Sequence, residues 1–210
     1  MTNICPLCEH PSSLFKKIES KIFYRCTNCF GIFLTPNLLP TFDEEKLRYE
    51  LHNNDVNDGA YQNFVSPITS RVLQDFSQES SGLDFGAGTG PVISKVLEDK
   101  GFTIKLYDPF FHNYPELLEN TYDYIACCEV IEHFHHPKKE FRLLQDLLSP
   151  KGKLYCMTEM FREQLIFENW YYKNDPTHVF FYSEKTMKWI KRAFNFSEVS
   201  FNDRLTIFTK

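Results

Sequence analysis

Two pairs of cysteines near the start of the chain have the spacing of a metal site. Cys5 and Cys8 form one Cys-x-x-Cys pair, Cys26 and Cys29 form the other, and 17 residues separate the pairs. Each pair folds as a knuckle that presents two thiolates, and two knuckles complete a tetrahedron around Zn²⁺ at about 2.3 Å per Zn–S bond. Four sulfur ligands leave no position for water, so we expect a structural zinc. A segment of about 35 residues buries too little apolar surface to fold alone, so the metal would stabilise it.

Disulfides and a redox-active pair are the alternatives for these four thiols. Neither fits a doubled motif in a chain whose other cysteines, Cys127, Cys128 and Cys156, lie in apolar, strand-like runs. Such usage is typical of a reducing compartment. The first residues do not resemble a signal peptide, and no stretch has the length of a transmembrane span. We therefore expect a cytoplasmic protein with no membrane segment.

A glycine-rich turn is the second motif with chemical meaning. In the segment LDFGAGTGPVISKVL, a predicted strand ends near Asp84 and a predicted helix begins at about Pro91. Alternate positions between them are Gly86, Gly88 and Gly90. Glycines at this spacing let the backbone turn sharply and let a ligand approach the main chain. The dinucleotide fingerprint would need glycine in place of Pro91, and the P-loop would need Gly-Lys-Ser/Thr.

A carboxylate follows the next predicted strand, about twenty residues after the glycines. Asp108, in KLYDPF, can accept hydrogen bonds from both hydroxyls of a ribose. The alternatives are a strand-to-helix turn without a ligand and an ordinary Asp-Pro turn. Taken together, the two features favour a nucleoside site. Phe110 and Phe111 come next and would flank a base or belong to the core.

The elements that position these motifs follow from hydrophobic periodicity. Short apolar runs predict strands at residues 83–85, 103–107, 122–128 and 152–157, and helical spacing predicts helices at 68–76, 92–97, 141–148 and 183–194. A final hairpin is predicted to turn at 202–203. Alternating strands and helices indicate a parallel sheet covered on both faces, with the hairpin as an antiparallel edge. Ligands bind such sheets at the carboxyl ends of the strands.

The spacing D-x-G-x-G-x-G of residues 84–90 resembles motif I of class I S-adenosylmethionine-dependent methyltransferases. YDYIACCEVIEHFHHP resembles the fourth strand of that family with its following segment, and LLSPKGKLYCMTEM resembles the fifth. The matches run in order over residues 80–160. The resemblance implies a Rossmann-like α/β fold with a seven-stranded sheet whose last strand is antiparallel. We expect a zinc ribbon at 1–38, a helical lead-in at 39–80 and the methyltransferase domain at 81–210.

The resemblance also implies the cofactor, S-adenosyl-L-methionine, and the residues that hold it. In the family the glycine turn holds the methionine portion, an acidic residue here at Asp84 helps to hold its amino group, and Asp108 takes the ribose position. The predicted cofactor-binding residues are Asp84, Gly86, Ala87, Gly88, Gly90, Asp108, Pro109, Phe110, Cys128 and Glu129.

Two histidines are candidates for chemistry at the methyl acceptor. Methyl transfer is an in-line displacement, so the protein must align the nucleophile and exclude water, and a general base helps when the acceptor carries a proton. We predict that His178 is a base or a substrate ligand oriented by Asp175, or else that it is structural. His133, in EVIEHF, is expected to be structural or close to the cofactor. The remaining expected pocket walls are Trp170, Tyr171 and Tyr172.

Three functions are compatible with a zinc ribbon before such a domain. The arrangement resembles small-molecule methyltransferases that include zinc-containing sugar C-methyltransferases, and ribosomal RNA guanine methyltransferases. The chain carries a formal charge of −5, and the ribbon a net charge of only +2, which is little for phosphate recognition. We therefore favour a small-molecule acceptor, a sugar or phenolic metabolite. The alternatives are an RNA base methyltransferase that grips RNA with its ribbon, and a non-catalytic binding module. The sequence does not indicate an oligomeric state.

Overall fold

The computed structural model describes residues 3–51 and 54–210 of the 210-residue chain. The N-terminal segment forms four antiparallel strands: β1 (Asn3–Ile4), β2 (Pro11–Ile18), β3 (Lys21–Cys26) and β4 (Ile32–Leu34). The first cysteine pair lies in the turn between β1 and β2, and the second lies between the end of β3 and the start of β4. The hairpins therefore bring the two knuckles to the same end of this small sheet.

Two helices connect this small sheet to the main domain: α1 (Phe42–Glu50) and α2 (Gly59–Asp75). A capping box fixes the start of α1, because the Thr41 side chain accepts from the backbone N–H of Glu44 while the Glu44 carboxylate accepts from that of Thr41. The Asp58 side chain caps α2. Residues 68–76, predicted as a helix, form the second half of α2 and its cap.

The main domain alternates strands and helices as the periodicity predicts. Its elements are β5 (Ser81–Phe85), α3 (Val92–Glu98), β6 (Thr103–Tyr107), β7 (Tyr122–Cys128), α4 (Pro137–Asp146), β8 (Leu148–Met157), β9 (Phe180–Phe181), α5 (Glu184–Ala193), β10 (Glu198–Asn202) and β11 (Leu205–Thr209). Ser183, the first residue of the predicted helix 183–194, caps α5, because its side chain accepts a hydrogen bond from the Thr186 N–H. The main sheet has the order β10-β11-β8-β7-β5-β6, in which β6, β5, β7 and β8 are parallel. The C-terminal hairpin is antiparallel at one edge, as expected.

The strand count differs from the seven that the family resemblance implies. Across the described residues the main sheet has six strands, with β6 at its edge. Only residues 108–121 connect β6 to β7, and they contain a short 3-10 turn at Pro115–Glu119. A further parallel strand would need another crossover of a dozen or more residues, for which this connection is too short. The missing strand is therefore the one beyond β6.

The core lies on both faces of the main sheet. Along β7, Tyr124 and Ala126 pack with α2 and α3, whereas Ile125 and Cys127 face α4 and α5. This alternation is the period-2 pattern of a strand buried on both sides. The predicted parallel sheet with two covered faces is therefore confirmed. No helix in the described portion has both the length and the apolar character needed to cross a membrane.

The small sheet is joined to the main domain by backbone pairing. Strand β9, which lies after β8 in the main domain, pairs antiparallel with β4 and becomes the fifth strand of the small sheet. Aromatic residues from both parts pack at this junction, including Phe23, Phe167 and Phe181. The cysteine-containing segment is thus built into the fold.

Candidate functional site

Three neighbouring strands end at one edge of the main sheet, and a predicted site residue follows each. Gly86 follows β5, Asp108 follows β6 and Glu129 follows β7. The register places Phe85 opposite Tyr107, so the ends of β5 and β6 are level. This edge is where ligands bind in open α/β sheets.

The glycine turn uses the conformational freedom of two glycines. Gly86 has φ +80° and Gly88 has φ +62°, in the left-handed region that favours glycine. A Cβ on Gly86 would lie 2.4 Å from a methyl group of Val130, whereas one on Gly88 would have no neighbouring atom within 4 Å. Gly86 is therefore needed for packing against the segment after β7, and Gly88 leaves open space beside the backbone.

The Asp108 carboxylate ties two loops together at this edge. It accepts hydrogen bonds from the backbone N–H of Gly88 at 3.0 Å, of Phe110 at 2.8 Å and of Phe111 at 3.1 Å. Asp108 is largely buried. Asp108 therefore lies next to the glycine turn, and its contact with a ribose stays a prediction.

A single cleft of about 940 Å³ collects most of the predicted site. A volume of this size accommodates a drug-sized ligand. Among the predicted residues, the lining contains Gly86, Ala87, Gly88, Asp108, Pro109, Phe110, Cys128, Glu129, His133, Asp175 and His178. The structure thus brings residues from four separate segments of sequence to one surface.

Two predicted cofactor-binding residues lie beside this cleft and not in its lining. Asp84 is buried below the glycine turn, where its carboxylate accepts a hydrogen bond from the Ser94 hydroxyl at 2.9 Å. Burial raises the pKa of Asp84 to about 7. Gly90 faces the chain segment before α2, because a Cβ there would lie 2.1 Å from the backbone oxygen of Asn54. Its lack of a side chain permits that close approach.

Helix α1 covers one side of the cleft, a role that the sequence did not reveal. The Phe42 ring stacks on Phe110 with centroids 4.4 Å apart, and Tyr49 meets the same ring edge-on at 5.3 Å. Arg48, which precedes Tyr49 in the last turn of α1, forms an ion pair with Asp175 at 2.7 Å. The lead-in segment is therefore part of the site. The weak apolar periodicity of residues 42–50 gave no signal for this contact.

The Asp175 carboxylate does not orient the His178 ring, contrary to the sequence prediction. Nδ1 of His178 lies 2.7 Å from the backbone oxygen of Tyr172. Asp175 instead accepts from the N–H and hydroxyl of Thr177, at 2.9 and 2.6 Å, and pairs with Arg48. Burial alone would raise the pKa of Asp175, but these hydrogen bonds outweigh it and hold the pKa well below its ordinary value.

The two candidate histidines lie side by side. Nδ1 of His133 is 2.9 Å from the backbone oxygen of Thr177, and the rings of His133 and His178 meet edge-on with centroids 4.8 Å apart. Burial, reinforced by the neighbouring imidazole, lowers the pKa of His178 to about 4. His178 is therefore neutral at pH 7, with its proton on Nδ1 and a lone pair on Nε2.

A buried pair of glutamates lies next to the histidines. The Tyr172 hydroxyl donates to Glu129 at 3.1 Å and makes a closer contact with Glu132, which is fully buried. Burial raises the pKa of Glu132 to about 7; burial and the Glu132 charge raise that of Glu129 to about 8, although Arg204 bonds Glu129 at 2.8 Å. The sequence analysis did not name Glu132 as a site residue. The signal for it was its place three residues after Glu129 and directly before His133 in EVIEH.

The aromatic walls are only partly those expected. Tyr171 and Tyr172 line the cleft. Trp170 does not face it; its ring packs in the aromatic core against Phe161 and Phe181. Of the three expected walls, Trp170 therefore belongs to the junction with the small sheet, and Tyr171 and Tyr172 line the cleft.

The four N-terminal cysteines converge as their spacing predicts. Their sulfur atoms all lie within 4.8 Å of one another, with Cys5–Cys29 and Cys8–Cys26 separations of 3.4 Å. Both knuckles have the same local turn, since the N–H of Glu9 bonds the Cys5 carbonyl and the N–H of Phe30 bonds the Cys26 carbonyl. Four thiols in this arrangement form a donor set suited to a tetrahedral ion.

Comparison with known proteins places the chain in a family. Residues 58–200 match the family described as a methyltransferase domain, so the chain belongs to that family. No curated protein sequence gives a significant match. The matched region begins at the N-terminus of α2 and ends within β10, so it contains the main sheet up to its hairpin and excludes the four cysteines.

Solved structures with a similar fold are also methyltransferases. A SAM-dependent methyltransferase from Archaeoglobus fulgidus has a TM-score of 0.56 and 15% identity, over 71% of this chain and 94% of that one. Human N-acetylserotonin methyltransferase in complex with SAM has a TM-score of 0.55 and 11% identity, over 80% and 56%. An O-methyltransferase family protein from Burkholderia thailandensis has a TM-score of 0.52 and 11% identity, over 79% and 61%. The chain thus spans little more than half of the last two proteins. At these identities the likeness shows the methyltransferase fold alone.

Proposed function

We propose that this chain transfers a methyl group from S-adenosyl-L-methionine to a small-molecule acceptor. The main support for the proposal is the glycine turn at Gly86–Gly88, which lies at the carboxyl edge of the sheet with the Asp108 carboxylate beside it. Membership of the methyltransferase domain family supports it, as does the fold shared with a methyltransferase that was solved in complex with SAM.

The residues of the cleft fit both the amino-acid portion and the nucleoside portion of this cofactor. The open space beside Gly88 admits a ligand to the main chain, and Asp108 is placed to accept from ribose hydroxyls after exchanging one of its backbone bonds. Phe110 and Phe111 line the same part of the cleft and would flank the adenine. When bound, the cofactor supplies an electrophilic methyl group on a sulfonium. Asp84 supports the turn from below.

The acceptor half of the cleft contains the histidines. His178 and His133 are held by backbone carbonyls, which fixes the rings and keeps the Nδ1 protons in place. The neutral Nε2 of His178 either takes a proton from the acceptor or binds it. Tyr171 and Tyr172 line this side of the cleft, and helix α1 limits the entry of water. This polar and aromatic lining suits a sugar or phenolic hydroxyl.

The four cysteines bind a structural zinc in this proposal. The donor set fits Zn²⁺, and the sulfur positions leave no ligand site for substrate. Thiolate ligation also agrees with the expected reducing, cytoplasmic location. The zinc would fix the small sheet, whose pairing with β9 holds the chain that carries His178.

The basic residues of the ribbon favour a small acceptor over RNA. Lys16 pairs with Glu168 and Arg25 with Glu163, both in the main domain. Lys21 contacts the backbone oxygen of Lys173 at 3.4 Å. Three of the four cations therefore serve the junction between the two parts of the molecule, and phosphate recognition would compete with these contacts.

Calorimetric titration with S-adenosylhomocysteine tests the proposal. We expect one site per chain, with affinity reduced roughly tenfold or more in Asp108→Asn, because a charge-assisted hydrogen bond contributes about 1.5–3 kcal/mol. Asp99→Asn changes an exposed carboxylate on α3's C-terminal side and should bind like the wild type. Absence of binding to the wild type would refute the proposal and favour the non-catalytic binding module. A screen of sugar and phenolic acceptors with labelled cofactor then identifies the substrate.

A further inference from the structure

A second convergence of metal-ligating groups lies at the acceptor half of the cleft, where His133 and His178 belong to the lining and Glu132 is buried behind it. One ligand atom each from Glu132, His133 and His178 lies within 4.8 Å of the other two. The three residues come from two separate segments, the 3-10 turn after β7 and the loop before β9. The cluster is distinct from the four cysteines, which are at the end of the small sheet.

Both imidazoles are held in the way that metal-bound histidines are held. Metal-ligating histidines donate the proton of the non-ligating nitrogen to a carbonyl or carboxylate, which fixes the tautomer and the ring. Here Nδ1 of His133 contacts the Thr177 carbonyl at 2.9 Å and Nδ1 of His178 contacts the Tyr172 carbonyl at 2.7 Å. Both rings therefore have the lone pair on Nε2, and Nε2 of His178 lies 4.0 Å from the Glu132 carboxylate.

The surroundings of Glu132, the third residue of the cluster, favour a bound cation. Glu132 is fully buried, and its carboxylate contacts two neutral hydroxyls: it accepts from Thr158 and shares the Tyr172 proton with Glu129. The same tyrosine hydroxyl also contacts a second carboxylate, that of Glu129. Glu129 forms an ion pair with Arg204, which pairs with Glu159 as well. Glu132 thus contacts neutral hydroxyls, whereas the guanidinium of Arg204 pairs with Glu129 and Glu159. Buried carboxylates are strongly stabilised by a nearby positive charge.

We propose that Glu132, His133 and His178 bind a divalent transition-metal ion that holds the oxygen of the methyl acceptor. Two imidazoles and one carboxylate suit Mn²⁺, Fe²⁺ or Zn²⁺ better than Mg²⁺ or Ca²⁺. Two ligand atoms at about 2.1 Å from one ion are at most about 4.2 Å apart, so the widest pair closes by about half an ångström. Three protein ligands leave coordination positions for water or substrate, and two of the three, His133 and His178, line the cleft.

The role of the ion in chemistry rests on the function proposed above. A hydroxyl oxygen bound to the ion has a lowered pKa and loses its proton to solvent water at the cleft mouth. The resulting alkoxide or phenoxide attacks the methyl carbon; the O–CH₃ bond forms as the S–CH₃ bond breaks, and the sulfonium becomes a neutral thioether. In this arrangement His178 is a ligand and not the base. The substrate class is therefore a hydroxyl-bearing acceptor.

Titration of the zinc-loaded 210-residue chain with Mn²⁺ tests the site independently of methyl transfer. Electron paramagnetic resonance counts the free Mn²⁺, and Mn²⁺ prefers oxygen and nitrogen ligands, so it leaves the thiolates to zinc. We expect one Mn²⁺ per chain. His178→Ala and Glu132→Gln should each weaken binding at least tenfold, and His136→Ala, on an exposed histidine of the same cleft, should bind like the wild type.

Affinity for S-adenosylhomocysteine shows whether each variant remains folded and separates the two proposals. Mn²⁺ binding without S-adenosylhomocysteine binding would keep the cation site and remove the methyltransferase proposal. The metal proposal is overturned if the wild type binds S-adenosylhomocysteine but no Mn²⁺. Equal Mn²⁺ affinity in the wild type and in a folded Glu132→Gln or His178→Ala protein would overturn it as well.

Discussion

Nδ1 of His178 lies 2.7 Å from the backbone oxygen of Tyr172, and this contact determines which nitrogen of the imidazole faces the cleft. A backbone carbonyl accepts a hydrogen bond but carries no charge, so it fixes the tautomer while raising the pKa of the ring less than burial lowers it. The burial-lowered pKa of about 4 then leaves the ring neutral. His178 thus has an available lone pair at neutral pH.

Replacing His178 should affect turnover far more than cofactor affinity. We expect His178→Ala to lower kcat by roughly 10²-fold or more, because it removes a positioned base or ligand at the acceptor. Affinity for S-adenosylhomocysteine should stay within about threefold of the wild type. Steady-state kinetics with an identified acceptor, together with calorimetry, measure the two effects.

Asp175→Asn is the informative comparison for that variant. Asp175 contacts Thr177 and Arg48 and leaves the His178 ring to Tyr172, so its substitution should reduce the free energy of unfolding by about 1 kcal/mol while kcat falls only severalfold. A loss of kcat as large as that of His178→Ala would show that the carboxylate acts in the reaction.

The parts of the site that the sequence predicted are those that local patterns encode. The turn at Gly86 and Gly88 and the cysteine pairs depend on backbone freedom or ligand spacing over a few residues, and Asp108 directly follows a periodic strand. In the structure the glycine turn and Asp108 meet at the edge of the main sheet, and the four cysteines meet at the end of the small sheet. The parallel sheet was predictable for the same reason, since alternating strands and helices determine the topology.

The remaining contacts join residues that are far apart in the sequence. Arg48 meets Asp175 across 127 positions, and Phe42 stacks on Phe110. No local spacing encodes either contact. The orientation of His178 depended on a backbone carbonyl, which any residue at position 172 supplies. The sheet prediction was wrong by one strand because it followed the family resemblance and not the short segment between β6 and β7.

Because Gly86 is tightly packed, adding one methyl group in Gly86→Ala should strongly destabilise the fold. In Gly86→Ala the new Cβ meets Val130 at 2.4 Å and the residue keeps a φ of +80°, so we expect a loss of about 2–3 kcal/mol. Gly59→Ala is the control, since a Cβ there has no atom within 4 Å and lies at the start of α2. Its stability should be equal to or slightly above that of the wild type. Urea denaturation measures both; similar midpoints for the two variants would contradict the tight turn.

Loss of the thiolate site should destabilise the whole molecule. Because β4 pairs with β9 and the aromatic junction links the two parts, we expect Cys26→Ser to lose the thiolate-bound metal and to lower the thermal midpoint of the main domain as well. Cobalt-substituted protein gives a readout specific to sulfur ligands, since sulfur-to-cobalt charge-transfer absorption does not arise at histidines or carboxylates. Cys128→Ser, outside the small sheet, should retain that absorption. Full retention in Cys26→Ser would exclude the proposed zinc site.

The buried carboxyl of Asp84 should make stability fall with rising pH. Its folded-state pKa of about 7 lies above the unfolded value near 4, so its contribution is fully present below about pH 4 and is lost as the pH rises through 7. Asp84→Asn keeps an acceptor for the Ser94 hydroxyl and cannot ionise. As the pH rises from 5.5 to 8, the wild type should lose stability that the variant keeps. The difference in free energy of unfolding, variant minus wild type, should therefore increase by on the order of 2 kcal/mol over this range. Urea denaturation at the two pH values, with Asp99→Asn as the exposed control, measures this difference. A gain no larger than that of the control would mean that Asp84 is ionised throughout this range in the folded protein.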